Sequence, residues 1–139
     1  MSITTTTHLN FRGQARPALD FYRSVFGGAV TAFTYGEAHN VQDPAEANQL
    51  MWGEVRGDSG IHLMAYDVPG RMPYEQGVNS LFVSVRGTDA EEIRSYWRGL
   101  SEDSTIVADL GPAPWGAPLY GMLRDRFGVI WVLDVVADY

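Results

Sequence analysis

The chain has no cysteine among its 139 residues. That excludes disulfides, thiolate nucleophiles and zinc–cysteine centres. It also lacks an excess of positive charge, since 10 basic side chains face 17 acidic ones for a net charge of −7. Such a balance argues against a nucleic-acid backbone or an anionic membrane surface as partner. No apolar run approaches the roughly 20 residues that span a bilayer. The opening Met1-Ser2-Ile3-Thr4 has neither a charged n-region nor an apolar h-region. A secretory leader is therefore not expected, and the cytoplasm is the expected location. There is no glycine-rich nucleotide cradle and no phosphate loop. Ser24, Ser59, Ser80, Ser84 and His39 form no recognisable nucleophile-and-base set, so no catalytic residue is assigned. What the chain does have is apolar and aromatic surface, 45% and 12% of residues, ample for one packed domain.

Taken in order, Thr4 to Phe11 reads as a strand with Leu9 and Phe11 on one face and His8 and Asn10 on the other. Gly13 breaks it. Pro17 suits the first turn of a helix in which Ala18, Phe21, Tyr22, Val25 and Phe26 recur at helical spacing, and Gly27-Gly28 ends that helix. Strands over 30–35, 49–56 and 61–66 follow. A polar loop or short helical turn over 36–48 separates the first two, and a Gly57-to-Gly60 turn joins the last two. Ile61, Leu63 and Ala65 alternate with His62, Met64 and Tyr66. The stretch 69–77 holds two prolines and two glycines and contains the natural linker, 71–77.

Beyond it the pattern returns. A strand over 79–85 leads to Thr88, a suitable N-cap with Glu91 at the capping-box position, and to a helix carrying Ile93, Tyr96, Trp97 and Leu100. A strand over 105–110, a loop over 111–118 with three prolines, and a hairpin over 119–136 complete the chain. Each half thus has a strand ending in Arg-Gly (Arg12-Gly13, Arg86-Gly87), then a helix with a paired aromatic and arginine (Phe21-Tyr22-Arg23, Tyr96-Trp97-Arg98), then three strands. This is a repeated βαβββ module, 1–70 and 78–139. It implies an α+β fold of two similar half-sheets about a pseudo-twofold axis, with a curved cavity as the default ligand site.

Two end motifs carry a family likeness. One is the helix ALDFYRSVFGG, Ala18 to Gly28, behind the strand His8 to Phe11. The other is WGAPLYGMLRDRFGVIWVLD, Trp115 to Asp134, which folds as a hairpin about Arg124 to Gly128. Together they resemble the PhnB-like branch of the vicinal oxygen chelate superfamily, which also holds glyoxalase I, extradiol dioxygenases and bleomycin-resistance proteins. The resemblance covers nearly the whole chain. It implies the same paired-module architecture of curved mixed sheets around a cavity, and a homodimer whose cavities are bordered by the other chain. It says less about activity, because one fold hosts many functions.

In metal-binding members, the resemblance implies four cavity-facing ligands, usually His and Glu. Here those positions fall at His8 (or, one residue away in register, Thr7), His62, Ser80 and Val132. Serine is a poor ligand and valine is none, and the proton-transferring glutamate of glyoxalase I has no counterpart. A full metal site is therefore not expected. The aromatic residues Trp52, Phe82, Trp115 and Tyr120, with Met64, are suited to lining an apolar pocket for a flat or hydrophobic molecule. The expected ligand-binding set is His8, Asn10, Trp52, His62, Met64, Ser80, Phe82, Trp115, Tyr120 and Val132. Two functions follow as expectations. The first is a protein that binds a small organic molecule without the full metal site. The second is a divalent-metal-dependent lyase, isomerase or dioxygenase of glyoxalase type using His8 and His62.

Overall fold

The computed structural model describes residues 2–136. The chain divides into two compact units, Met1–Gln76 and Gly77–Tyr139. The first contains β1 (Thr7–Phe11), α1 (Ala15–Phe26), β2 (Ala29–Thr34), β3 (Leu50–Arg56) and β4 (His62–Asp67). A short 3-10 turn, Pro44–Glu46, lies in the loop before β3. The second unit contains β5 (Val83–Gly87), α2 (Ala90–Ser101), β6 (Thr105–Gly111), β7 (Leu119–Arg124) and β8 (Ile130–Val135). The sheets have the same topology, β1-β4-β3-β2 and β5-β8-β7-β6, each with one parallel pair and two antiparallel pairs. The α+β architecture of two βαβββ modules is that expected from the repeat.

Period-two alternation gives each sheet a helix-covered face and an open one. In the first unit Phe11, Leu63, Ala65, Val55 and Leu50 are buried with Ala15, Ala18, Leu19, Tyr22 and Phe26 of α1. In the second, Leu119, Leu123, Trp131 and Leu133 are buried with Ile93 and Leu100 of α2. A glycine lets each helix approach its sheet. A Cβ on Gly53 would stand 2.6 Å from Leu19 Cδ1, and one on Gly121 would stand 2.8 Å from the Trp97 ring. After α1 the chain turns through Gly28 at φ +91°, where a Cβ would lie 1.7 Å from the Arg56 carbonyl oxygen, so no other residue fits there.

Several boundaries differ from the sequence reading. β1 is shorter, because the run of threonines before Thr7 has no strand partner in the register. β5 begins at Val83 rather than at residue 79, so Ser80 lies in a bend ahead of the strand and Phe82 directly before it. The α2 cap is Asp89, whose carboxylate accepts the Glu91 N–H at 3.0 Å, and not Thr88 one residue earlier. Aspartate competes well for this position because its ionised oxygen also meets the positive helix end. Segment 69–74 is bound to the first unit: Arg12 donates to the carbonyls of Val68, Pro69 and Met72, and Tyr74 Oη–H donates to the Asn10 carbonyl. Among the described residues no helix is long and apolar enough to cross a membrane.

Candidate functional site

The open face of the first sheet gathers most of the chemistry-bearing groups. Register aligns Glu54 of β3 with Met64 of β4, and Met64 with His8 of β1. One row away, Arg56 aligns with His62. On the other side, Tyr66 aligns with Asn10, and Phe33 of β2 with Trp52. These side chains alternate with the buried ones, so they share the face that α1 does not cover.

His62 is held at both nitrogens. Nε2 lies 2.5 Å from Glu54 Oε2, and Nδ1 lies 3.2 Å from Thr6 Oγ1. A carboxylate only accepts, so Nε2–H donates to Glu54, and in the neutral imidazole Nδ1 accepts the Thr6 hydroxyl. Both partners are mostly buried, with side-chain exposures of 24% for His62 and 15% for Glu54. Glu54 Oε2 also receives Arg56 Nε at 3.3 Å. His8 is more open. Its Nδ1 lies 3.0 Å from Asn10 Oδ1, so in the neutral ring Nδ1–H donates to Asn10 and Nε2 is left as an acceptor. Its ring meets the edge of Tyr66 at 5.4 Å. Phe33 and Trp52 lie tilted against each other with centroids 5.9 Å apart. Phe33 is half exposed at 51%. The face therefore combines a tilted aromatic pair with a fixed imidazole–carboxylate pair and a second imidazole.

On the second unit's open face, Ser84 aligns with Val132, and Val132 with Met122. Arg86 aligns with Asp134 and Asp134 with Tyr120. Arg86 Nε donates to both oxygens of the buried Asp134 at 3.2 and 3.3 Å. Trp115 stands edge-on to Tyr120 at 4.7 Å.

The expected ligand-binding residues thus fall into three groups. His8, Asn10, Trp52, His62 and Met64 share the first open face. Tyr120 and Val132 share the second, with Trp115 against Tyr120. Ser80 and Phe82 precede β5 and lie on neither strand face. Register also reassigns the internal equivalences. Thr7–Leu63 is the first parallel pair of one sheet and Val83–Trp131 that of the other. His8 therefore corresponds to Ser84 rather than to Ser80, and Val132 corresponds to Met64 rather than to His62. Among the described residues no three His, Asp or Glu side chains are grouped so as to hold one metal ion. The donor set does not fit the four-ligand centre that the resemblance implies for metal-binding members.

Sequence reasoning missed Glu54 and Asp67. A charged residue in mid-strand, as in Trp-Gly-Glu-Val-Arg, was the available signal for Glu54. Asp67 is buried and organises the first unit. Its Oδ1 accepts the N–H groups of Gly13 and Ala15 at 2.6 and 3.1 Å, and its Oδ2 accepts that of Leu50 at 2.8 Å. Asp125 lies in the hairpin turn between Arg124 and Gly128 and is buried. It accepts the Phe127 and Val129 N–H groups and the Trp131 Nε1–H.

A family model described as 3-demethylubiquinone-9 3-methyltransferase matches residues 3–134. No curated protein matches the chain. Among solved structures, protein PA1353 from Pseudomonas aeruginosa is 29% identical with a TM-score of 0.82, over 99% of this chain and 100% of that one. A PhnB protein from Bacillus cereus is 24% identical with a TM-score of 0.71, over 96% and 100%. A member of the glyoxalase/bleomycin resistance protein/dioxygenase superfamily from Sphaerobacter thermophilus is 19% identical with a TM-score of 0.55, over 98% and 100%. The last two likenesses establish the fold.

Proposed function

The chain belongs to the 3-demethylubiquinone-9 3-methyltransferase family, the PhnB-like group of glyoxalase fold, and within it we propose that the protein binds a small, flat organic molecule. The observation that carries this reading is the open face of the first unit. There the tilted Phe33–Trp52 ring pair lies on the same sheet face as the His62–Glu54 pair and the His8 imidazole. An aromatic pair supplies apolar contact, and a few fixed polar groups orient a ligand. The full family metal site is not part of this reading. A quinone-type ring, of the kind the family description names, falls within the ligand class.

A thermal-shift screen of flat aromatic compounds, quinone-type rings included, tests it. Ligands found this way are expected to lose their stabilisation with Trp52→Ala and to bind more weakly with His62→Ala. Hits unaffected by both substitutions would place the site elsewhere. One divalent ion per chain, lost in both His8→Ala and His62→Ala, would favour the metal-dependent alternative. The proposal includes a homodimer, supported by the exposed apolar Val78 and Leu81 at 87% and 86%. Light scattering at micromolar concentration checks it, and a monomer would overturn it.

A further inference from the structure

The first unit also contains a cavity of about 260 Å³ that none of the open-face residues lines. Tyr35, Val41, Asp43, Glu46, Pro69 and Arg71 are among its walls. Both sides are fixed backbone. On one side, Tyr35 N–H bonds to the Gln49 carbonyl and Gly36 N–H to the Ala47 carbonyl, each at 2.9 Å, which ties the base of the 36–48 loop. On the other, Arg12 Nε and Nη2 donate to the Val68 and Pro69 carbonyls at 3.2 Å, and the guanidinium lies 5.3 Å from the Tyr74 ring centroid. Glu46 Oε2 accepts the Gly70 N–H at 2.7 Å and joins the two walls.

The lining is amphipathic and of one dominant sign. Residues 36–48 contain Glu37, Asp43 and Glu46 and no Lys or Arg. Asp43 commits Oδ1 to the Ala45 N–H, and Glu46 commits Oε2 to Gly70. Each carboxylate keeps its other oxygen. Val41 and Pro69 supply apolar wall, and the buried Tyr35 ring supplies an aromatic one. Arg71 is the only cation among the lining residues and is exposed. The Tyr35 phenol is pushed up, first by burial, then by coupling to the Tyr66 phenol and by the carboxylates of Asp67 and Glu46, with Arg71 opposing least. Asp43 and Glu46 outnumber Arg71 among the lining residues, so the lining carries a net negative charge.

We propose that this cavity binds a small organic cation, a primary ammonium or guanidinium compound with a short ring or alkyl body. Its charged head meets Asp43 and Glu46, and its body lies against Tyr35, Val41 and Pro69. The volume is a little under the roughly 300 Å³ at which drug-sized sites begin, which selects a compact ligand. The reading is independent of the flat-molecule site on the open face.

Nuclear magnetic resonance titration of the full chain with benzylamine, and with benzoate as the matched anion, tests the proposal. Saturable shifts at the Ala45 and Gly70 amides are expected with benzylamine and not with benzoate. Asp43→Asn and Glu46→Gln should each weaken binding about tenfold, or about 1.4 kcal/mol. Both substitutions keep an oxygen for the backbone N–H, so the loop is preserved. Arg71→Gln should tighten benzylamine by removing a like charge. Benzoate binding as well as benzylamine would overturn the proposal. So would unsaturable shifts, unchanged affinity in both carboxylate variants, or weaker binding in Arg71→Gln.

Discussion

The two units solve the same topology with different polar chemistry. α2 starts at a local cap, with Asp89 accepting the N–H two residues on. α1 starts at Gln14, whose side chain makes no cap bond. Its first N–H is instead satisfied by Asp67, 52 residues away at the end of β4. The register-equivalent position in the second unit is Val135, which carries no charge. There the buried carboxylate lies in the β7–β8 turn, at Asp125. The helix-covered faces are otherwise apolar in both units and share a glycine at the matching position, Gly53 and Gly121. The open faces diverge: the row Glu54–Met64–His8 corresponds to Met122–Val132–Ser84. Packing against the helix constrains one face of each sheet, and the other face is left to differentiate.

The largest effect should come from the distant cap Asp67, measured against the local cap Asp89. Asp67→Ala strips the acceptor from three N–H groups in the interior and is expected to cost about 3–4 kcal/mol in urea unfolding. Asp89→Ala removes an exposed local cap and should cost about 1 kcal/mol. Equal costs would mean that the distant carboxylate is no more than an ordinary cap.

The matched glycines sharpen the likeness of the helix-covered faces. Gly121→Ala places a methyl 2.8 Å from a Trp97 ring and 3.0 Å from the Leu110 Cα, neither of which yields easily. Gly53→Ala meets first the rotatable end of Leu19. Thermal unfolding should show about 2–3 kcal/mol lost for Gly121→Ala and about 1–2 for Gly53→Ala. The reverse order would show that the first unit packs its helix more rigidly.

The smallest effect lies at alkaline pH and belongs to the first unit. Tyr35 and Tyr74 both have phenols raised above 10, in each case chiefly by burial. The folded chain holds these protons more tightly than the unfolded one, so their contribution is intact below pH 10. It is lost as pH rises through 10 toward the folded values, because the unfolded chain ionises first. Stability measured from pH 8 to 12 should fall above 10, and the fall should be shallower in Tyr35→Phe and Tyr74→Phe. Unchanged slopes would assign the alkaline loss to other groups.

Much of this arrangement was readable in advance because it is periodic. The alternation His62, Met64, Tyr66 against Leu63, Ala65 placed the open face correctly; of the helix positions Ala18, Phe21, Tyr22, Val25 and Phe26, the structure buries Ala18, Tyr22 and Phe26, and it adds Leu19. Boundaries were less legible. Asn79 to Phe82 looks as apolar and strand-like as Val83 to Gly87, yet only the latter pairs with β8. The polar partners were not legible at all. Glu54 and His62 are neighbours across a strand pair, and Arg86 and Asp134 are 48 residues apart. Nothing in their local sequence marks the pairing.

By itself, then, the chain's pattern of apolar residues determined two βαβββ modules and the face each sheet turns to its helix, while its two end motifs carried the family resemblance. The modules and faces follow from side-chain periodicity and turn residues, which act over a few neighbouring positions. Only the tertiary structure decided that Asp67 caps α1, that His62 is held between Glu54 and Thr6, and that the 36–48 loop and the 69–72 segment enclose a cavity. Each of these joins residues remote in the chain, and a buried polar group finds its partner only once strand register has brought the two together.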